Sequence, residues 1–121
     1  MTVFHHRKLP KNSTLLSGRI PPDNIGFTSN RLQIWYNNTN TEWHDDMPHA
    51  HSDSDECFIV LKGEITVEVE GEIHIIRAGE FCCFGIGVMH QVVSVKAPNE
   101  SLIIRAPSIS DKLFPVDDAT T

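Results

Sequence analysis

The feature that most constrains the fold is a series of short segments in which apolar and polar residues alternate. In one of them, Ile65, Val67 and Val69 are apolar and polar residues stand between them. Successive side chains of a β-strand point to opposite faces, so this pattern predicts a strand with one buried face and one wet face. Gly71 then provides a hairpin turn, and apolar residues return from Ile73 onward.

Similar segments recur along the chain. Leu32, Ile34 and Tyr36 share one face of a predicted strand. Further strands are predicted at residues 14–16, 57–61, 90–96 and 101–105, with turns at Gly63, Gly71, Gly79 and Asn99. Only one short helix is predicted, over 111–114. Short strands at roughly even spacing with so little helix predict an all-β fold, an antiparallel sandwich or barrel.

A chain of 121 residues can bury one core, which predicts a single domain. Proline and glycine interrupt the first thirty residues too often for a long helix. We therefore divide the chain into an N-terminal arm over 1–30, a barrel over 31–107 and a C-terminal tail over 108–121.

Charge and composition exclude several classes of protein. The net charge is −6 and no cluster of Lys or Arg stands out, so no nucleic-acid partner is expected. No apolar run approaches the roughly 18–20 residues of a membrane span, so no membrane partner is expected. The start of the chain lacks the apolar region of a secretory signal, which predicts a cytoplasmic protein. Cys57, Cys82 and Cys83 fit that compartment as free thiols, with thiolate ligation of a metal or a redox role as the alternative.

The candidate functional residues begin with a pair of histidines. His49 and His51 are separated by one residue and would point to the same side of a strand. Glu56 follows a polar run suited to a loop, so its carboxylate can fold back beside the two imidazoles. Imidazole and carboxylate together suit a divalent transition metal. The alternative is that the histidines are exposed loop residues and Glu56 is a solvated surface charge.

The wider spacing resembles the two motifs of the cupin superfamily. In the first motif His49, His51 and Glu56 are closed by Gly63. The second is formed by Gly79, Gly85, Gly87 and, as its last member, His90. The chain departs from the usual pattern at three positions. Trp43 stands in place of the usual Gly, Gly85 in place of Pro, and Ser94 in place of Asn. None of these replacements removes a ligand.

The resemblance implies a fold, a cofactor and an assembly. The fold would be an antiparallel double-stranded β-helix, the jelly-roll barrel of cupins. His49, His51, Glu56 and His90 would bind one divalent transition metal, Fe, Mn, Zn or Ni, and about two coordination positions would stay open for a small oxygen-rich molecule. Because a small barrel leaves strand edges that must be covered, a homodimer is expected.

Several functions agree with such a site. The first is a small metal-dependent enzyme of the isomerase or lyase type acting on a sugar acid or keto acid. The alternatives are a metal-dependent dioxygenase and a non-catalytic sensor or carrier of a small molecule or sugar. Tyr36 is a candidate for acid–base catalysis if its face looks into the barrel. Trp35 and Trp43 are expected to fill the core or a dimer contact, and a dry lining is expected from four apolar residues, Phe58, Phe81, Phe84 and Met89.

Overall fold

Nine β-strands and no helix form the described part of the chain, which comprises residues 4–21, 25–45 and 47–115 of a computed structural model. The all-β prediction is confirmed. The strands are β1 (Thr14–Gly18), β2 (Phe27–Thr28), β3 (Gln33–Thr39), β4 (Ala50–His51), β5 (Asp55–Val69), β6 (Glu72–Arg77), β7 (Phe81–Phe84), β8 (His90–Ala106) and β9 (Lys112–Leu113). Among these residues, none belongs to a helix that could span a membrane.

Seven of the strands form one sheet in the order β2-β1-β3-β8-β5-β6, with β7 paired to β5. All pairings in this sheet are antiparallel except that of β1 with β2. The remaining strands, β4 and β9, pair with each other. Strands within the predicted arm and tail thus pair with strands of the predicted barrel.

The two longest strands bend where the sequence predicted turns. β5 continues through Gly63 and β8 continues through Asn99, with register shifts where the two strands pair. The prediction of hairpin turns at these two positions was wrong, because each position bends a strand without reversing the chain. Gly63 has a φ of 78°, and a Cβ there would lie 2.6 Å from the carbonyl oxygens of Lys96 and Pro98. Only glycine fits this close approach of two backbones.

The core lies between the two halves of the bent sheet. Ile65 and Val67 are fully buried, as their alternation predicted. They belong to a cluster of buried side chains that also contains Phe58, Val60, Phe84, Val92 and Val95. Burial of this apolar surface is the main term that stabilises such a sheet.

The tail forms a strand where the sequence predicted a short helix. Lys112 and Leu113 pair with His51 and Ala50. The helix prediction for 111–114 was wrong, because a backbone partner in β4 satisfies this segment and the nearby prolines at 107 and 115 leave little room for a helix. The pairing brings the tail beside the candidate ligands.

Candidate metal centre

Three short stretches of backbone bring the four candidate ligands together. His49 and His51 flank the first residue of β4, Glu56 lies near the start of β5, and His90 begins β8. His49 and His90 form an antiparallel bridge in which each backbone N–H donates to the other's carbonyl oxygen at 2.8 Å. One potential ligand atom from each of the four side chains lies within 4.8 Å of the other three.

All four side chains are buried, and their polar atoms converge. Glu56 Oε1 lies 2.8 Å from His90 Nε2 and 3.5 Å from His51 Nε2. His51 Nε2 is buried and has no hydrogen-bond partner within the described part of the chain. A buried nitrogen without a partner is costly in a protein unless something else occupies its lone pair. Three imidazoles and one carboxylate in this arrangement fit a divalent transition metal, and the group could hold one ion.

In two of the histidines, Nδ1 already has a polar partner outside the group of four, which leaves Nε2 for an ion. His51 Nδ1 lies 2.9 Å from the carboxylate of Asp111, and His90 Nδ1 lies 3.0 Å from the carbonyl oxygen of Val88. Both contacts favour a proton on Nδ1. Nε2 of each ring faces Glu56 Oε1, at 3.5 Å from His51 and 2.8 Å from His90, and is the nitrogen available to an ion. Such outer partners fix the ring orientation and tautomer of metal-binding histidines.

Asp111 is held in place by three hydrogen bonds. Its Oδ1 accepts from His51 Nδ1, while its Oδ2 accepts from Ser54 Oγ at 2.7 Å and from the backbone N–H of Asp53 at 3.1 Å. The side chain is buried. Sequence analysis did not single out Asp111, because only the pairing of β9 with β4 brings it to His51.

The charges of the group shift the pKa values of its members. Burial acts to raise the pKa of Glu56, but the facing His51 and His90 outweigh burial and hold this pKa at about 2. Burial acts to lower the pKa of His51, but the carboxylates of Glu56 and Asp111 outweigh it, so this pKa lies above its ordinary value. Burial and the nearby His90 lower the pKa of His49. The two carboxylates thus favour the protonated form of His51 more than water does, and the two imidazoles favour the ionised form of Glu56.

Apolar rings cover the inner side of the group. Phe84 stacks on His90 with ring centroids 4.0 Å apart, and Phe58 packs edge-on against Phe84. The predicted apolar lining is thus present at these two residues. It is wrong for Phe81, which is 69% exposed because it lies on the outer face of β7.

A cavity of about 260 Å³ opens beside the candidate ligands. His49 and Glu56 form part of its wall, and Trp35 and Trp43 contribute aromatic surface. The expectation that the two tryptophans only fill the core or a dimer contact was incomplete, because both line this cavity. The charged residues in the wall besides the candidate ligands are Asp45, Arg105 and Lys112.

Tyr36 does not line this cavity. Gln33 and Trp35 line the cavity instead, and they share the other face of β3. Since side chains alternate along a strand, Tyr36 points to the opposite side of the sheet, where its hydroxyl accepts a hydrogen bond from Asn38 Nδ2 at 3.3 Å. The geometry therefore gives no support to a catalytic role for Tyr36.

The cysteines stand apart from the candidate ligands. Cys57 and Cys83 are direct neighbours across β5 and β7, and Cys82 is partly buried. Burial raises the pKa of Cys57 to about 11 and that of Cys82 to about 12. The group of four contains no thiol, so its three histidines and Glu56 are the residues that could hold an ion there.

Several solved structures share the fold of this chain. A cupin protein from Bacteroides fragilis matches with a TM-score of 0.67 and 16% identity, covering 98% of this chain and 96% of that one. A cupin-2 domain protein from Shewanella frigidimarina matches with a TM-score of 0.50 and 26% identity, covering 64% and 72%. Pac13, a nucleoside dehydratase, matches with a TM-score of 0.65 and 9% identity, covering 93% and 92%. No curated protein sequence matches this chain.

These structures confirm the jelly-roll class of fold that the motifs predicted. The family model of the cupin domain matches residues 39–102, which is more than half of the chain and includes all four candidate ligands. With the model, the motifs and the fold in agreement, this chain belongs to the cupin domain family.

Proposed function

We propose that this protein binds one divalent transition metal, Fe, Mn, Zn or Ni, through His49, His51, Glu56 and His90. We further propose that it is a small enzyme of the isomerase or lyase type. Its substrate would be a small oxygenated molecule such as a sugar acid or keto acid. The observation that carries this proposal is the convergence of four buried side chains, two of which, His49 and Glu56, line a cavity of about 260 Å³.

The cavity supports turnover better than passive storage. A bound divalent ion would supply positive charge that polarises an oxygen of the substrate. Trp35 and Trp43 provide flat apolar surface that can orient a small molecule and exclude water from it. In such dry surroundings, electrostatic interactions are stronger than in water. A protein that only stored metal would not need this lined cavity.

Isomerase and lyase reactions need a group that can move a proton, and Asp45 is placed to do so. Its carboxylate lines the cavity without belonging to the group of four. Asp45 Oδ2 accepts a hydrogen bond from the backbone N–H of Val92 at 2.8 Å and lies 4.0 Å from His49 Nδ1. These contacts fix the carboxylate beside the candidate ligands and leave its other oxygen to accept a proton. In this proposal Asp45 takes the acid–base role that the sequence suggested for Tyr36.

A relative supports the type of chemistry. Pac13, which shares the fold, is a nucleoside dehydratase, and dehydration is a non-redox elimination. The similarity of this chain to Pac13 shows only the shared fold, so the substrate class here is inferred from the cavity.

The proposal is tested by screening the metal-loaded protein against sugar acids, keto acids and catechols with an oxygen electrode running. Product formation without oxygen uptake is expected. Asp45→Asn should lower kcat by about 100-fold or more while the bound metal is retained, because general acid–base catalysis contributes on that scale. Oxygen uptake that depends on Glu56 would instead identify a dioxygenase. Binding without product in every metal form would identify a sensor or carrier.

Assembly as a homodimer and a cytoplasmic location remain part of this proposal. β6 is an edge strand of the large sheet, and Ile73 and Ile75 on it are 58% and 40% exposed. An exposed apolar edge of this kind is usually covered by another chain. Sedimentation at micromolar concentration should therefore show a dimer, and a species of only 13.6 kDa would refute it.

A further inference from the structure

A cationic side chain reaches the cavity beside the candidate ligands. Arg105 lies on β8 directly opposite Gln33 of β3 on one side and Glu56 of β5 on the other. All three residues line the cavity. The backbone register therefore places a guanidinium group between a polar amide and a candidate metal ligand.

The hydrogen bonds of this guanidinium group are incomplete. Arg105 Nη2 donates to Gln33 Oε1 and to the carbonyl oxygen of Ile109, each at 3.1 Å. Arg105 Nε is buried and has no hydrogen-bond partner among the described residues. That donor is closed off from the cavity, but the side chain as a whole is 12% exposed and lines the cavity, so part of it stays open to a ligand there.

The charge of Arg105 is only partly compensated by the protein. The carboxylate of Asp111 pairs with it at 3.9 Å from Arg105 Nη1, and the same carboxylate accepts hydrogen bonds from His51, Ser54 and the backbone of Asp53. Arg105 Nη1 also lies 3.1 Å from His51 Nδ1. Because Asp111 is shared among these partners, an anion in the cavity would add to the charge compensation of Arg105.

A second cation and the metal add to the positive charge of the cavity. Lys112 lies opposite His51 in the pairing of β9 with β4 and lines the same cavity. Among the described residues of the wall, Arg105 and Lys112 match the charges of Glu56 and Asp45, so a bound divalent ion would give the cavity a net positive charge. The whole chain carries a net charge of −6, so such a positive cavity would differ from the chain as a whole.

We propose that Arg105, supported by Lys112, binds the carboxylate of a small, flat hydroxy acid or keto acid whose second oxygen faces the metal. This inference rests on the proposed function, and it narrows the substrate class to carboxylic acids. A carboxylate matches the guanidinium donors in geometry and charge. The tryptophan side chains provide the flat surface that such a molecule can stack on.

The test compares salicylate with salicylamide, which have nearly the same shape and differ in the charge of one group. Titration calorimetry on protein loaded with one equivalent of Zn²⁺ should show salicylate binding about 10-fold or more tightly than salicylamide, as a hydrogen bond to a charged group implies. Arg105→Gln should remove this preference and leave the affinity for salicylamide within about 2-fold. Lys112→Gln, which changes an exposed side chain, should reduce the preference by about 2- to 5-fold.

The matched control is Arg77→Gln, which removes the same charge from an exposed side chain whose nearest carboxylate is Glu64 at 3.9 Å. It should keep the full preference for salicylate. Metal content and unfolding by urea are measured for each variant. If Arg105→Gln loses metal or stability, Lys112→Gln carries the test in its place.

The outcomes separate this inference from the proposed function. If the wild-type protein binds no metal, the proposed metal site fails, and the preference for salicylate is then measured in metal-free protein, where Arg105 alone should maintain it. If metal binds but salicylate and salicylamide bind equally well, or neither binds, the carboxylate inference fails and the metal site stands. Tighter binding of inorganic phosphate than of salicylate would also overturn the inference.

Discussion

Replacing Asp111 with asparagine tests the link between the tail and the candidate ligands. In the native protein Asp111 Oδ1 lies 2.9 Å from His51 Nδ1, and Oδ2 accepts two hydrogen bonds. Asparagine keeps the shape of the side chain but offers one acceptor oxygen and one amide donor. If the oxygen keeps the bonds from Ser54 and Asp53, the amide group faces His51 Nδ1. The amide N–H and the His51 Nδ1–H are then both donors, so the neutral imidazole of His51 shifts its proton from Nδ1 to Nε2.

The size of the effect follows from the role of Nε2. This atom is buried, lacks a hydrogen-bond partner among residues 4–21, 25–45 and 47–115, and points toward the other candidate ligands. A proton there must be removed before an ion can bind. Loss of an outer partner of this kind lowers metal affinity by about 10- to 100-fold, which corresponds to about 1.4–2.7 kcal/mol.

The assay is competition for Zn²⁺ with a chromophoric chelator, applied to Asp111→Asn and to Asp53→Asn. Asp53 lies beside Asp111 in the fold and is exposed, so its replacement changes the net charge equally without removing the carboxylate beside His51. We expect the loss of affinity only for Asp111→Asn, with both variants still folded by circular dichroism. Equal affinities for the two variants would refute the reasoning about Nε2.

Three further predictions concern stability, thiol reactivity and pH. Gly63→Ala should lower the free energy of unfolding in urea by about 3 kcal/mol, against about 1 kcal/mol for Gly71→Ala. Both glycines have positive φ, but of the two only Gly63 has backbone atoms within 4 Å of a new Cβ. Equal losses of stability would contradict this prediction. Iodoacetamide at pH 8 should modify Cys57 about 100-fold more slowly in the folded than in the unfolded chain, because the pKa of this thiol rises from 9.0 to about 11. Cys82 should react more slowly still. Comparable rates in the folded and unfolded chains would show that the thiols are not protected. Because a protonated His51 cannot bind a metal and its pKa is raised above 6.5, metal affinity should fall by about 10-fold for each pH unit below that raised pKa; a fall that begins only below pH 6.5 would contradict the shift.

The candidate ligands could be predicted because their arrangement depends on local rules. His49 and His51 share a face through the two-residue period of a strand, and Glu56 follows within a few residues. The second motif supplied His90 through its resemblance to a known family. The structure brings all four side chains together, and their binding of a metal remains a prediction.

The residues around the ligands could not be predicted from local patterns. Asp111 is separated from His51 by 60 positions, and only the pairing of β9 with β4 brings them together. Arg105 reaches the cavity because the register of β8 places it opposite both Gln33 and Glu56. Such contacts arise from tertiary pairing, which a single sequence does not reveal.

The misread turns have a related cause. A glycine with positive φ serves both a hairpin turn and a bend within a strand, so Gly63 carries the same signal as Gly71. The difference lies in the neighbours. Gly71 has open space around it, whereas Gly63 lies against the backbone of β8. That contact forms only when the long strands pair, and the sequence pattern alone does not contain it.

The most direct test of the account is the metal content of the purified protein and of its histidine variants. Elemental analysis should find one divalent transition metal per chain in the wild type, and His51→Ala and His90→Ala should lose it. His74→Ala, which changes an exposed histidine far from the ligands in sequence, should keep the full metal content. Full occupancy in both His51→Ala and His90→Ala would contradict the assignment of the metal centre.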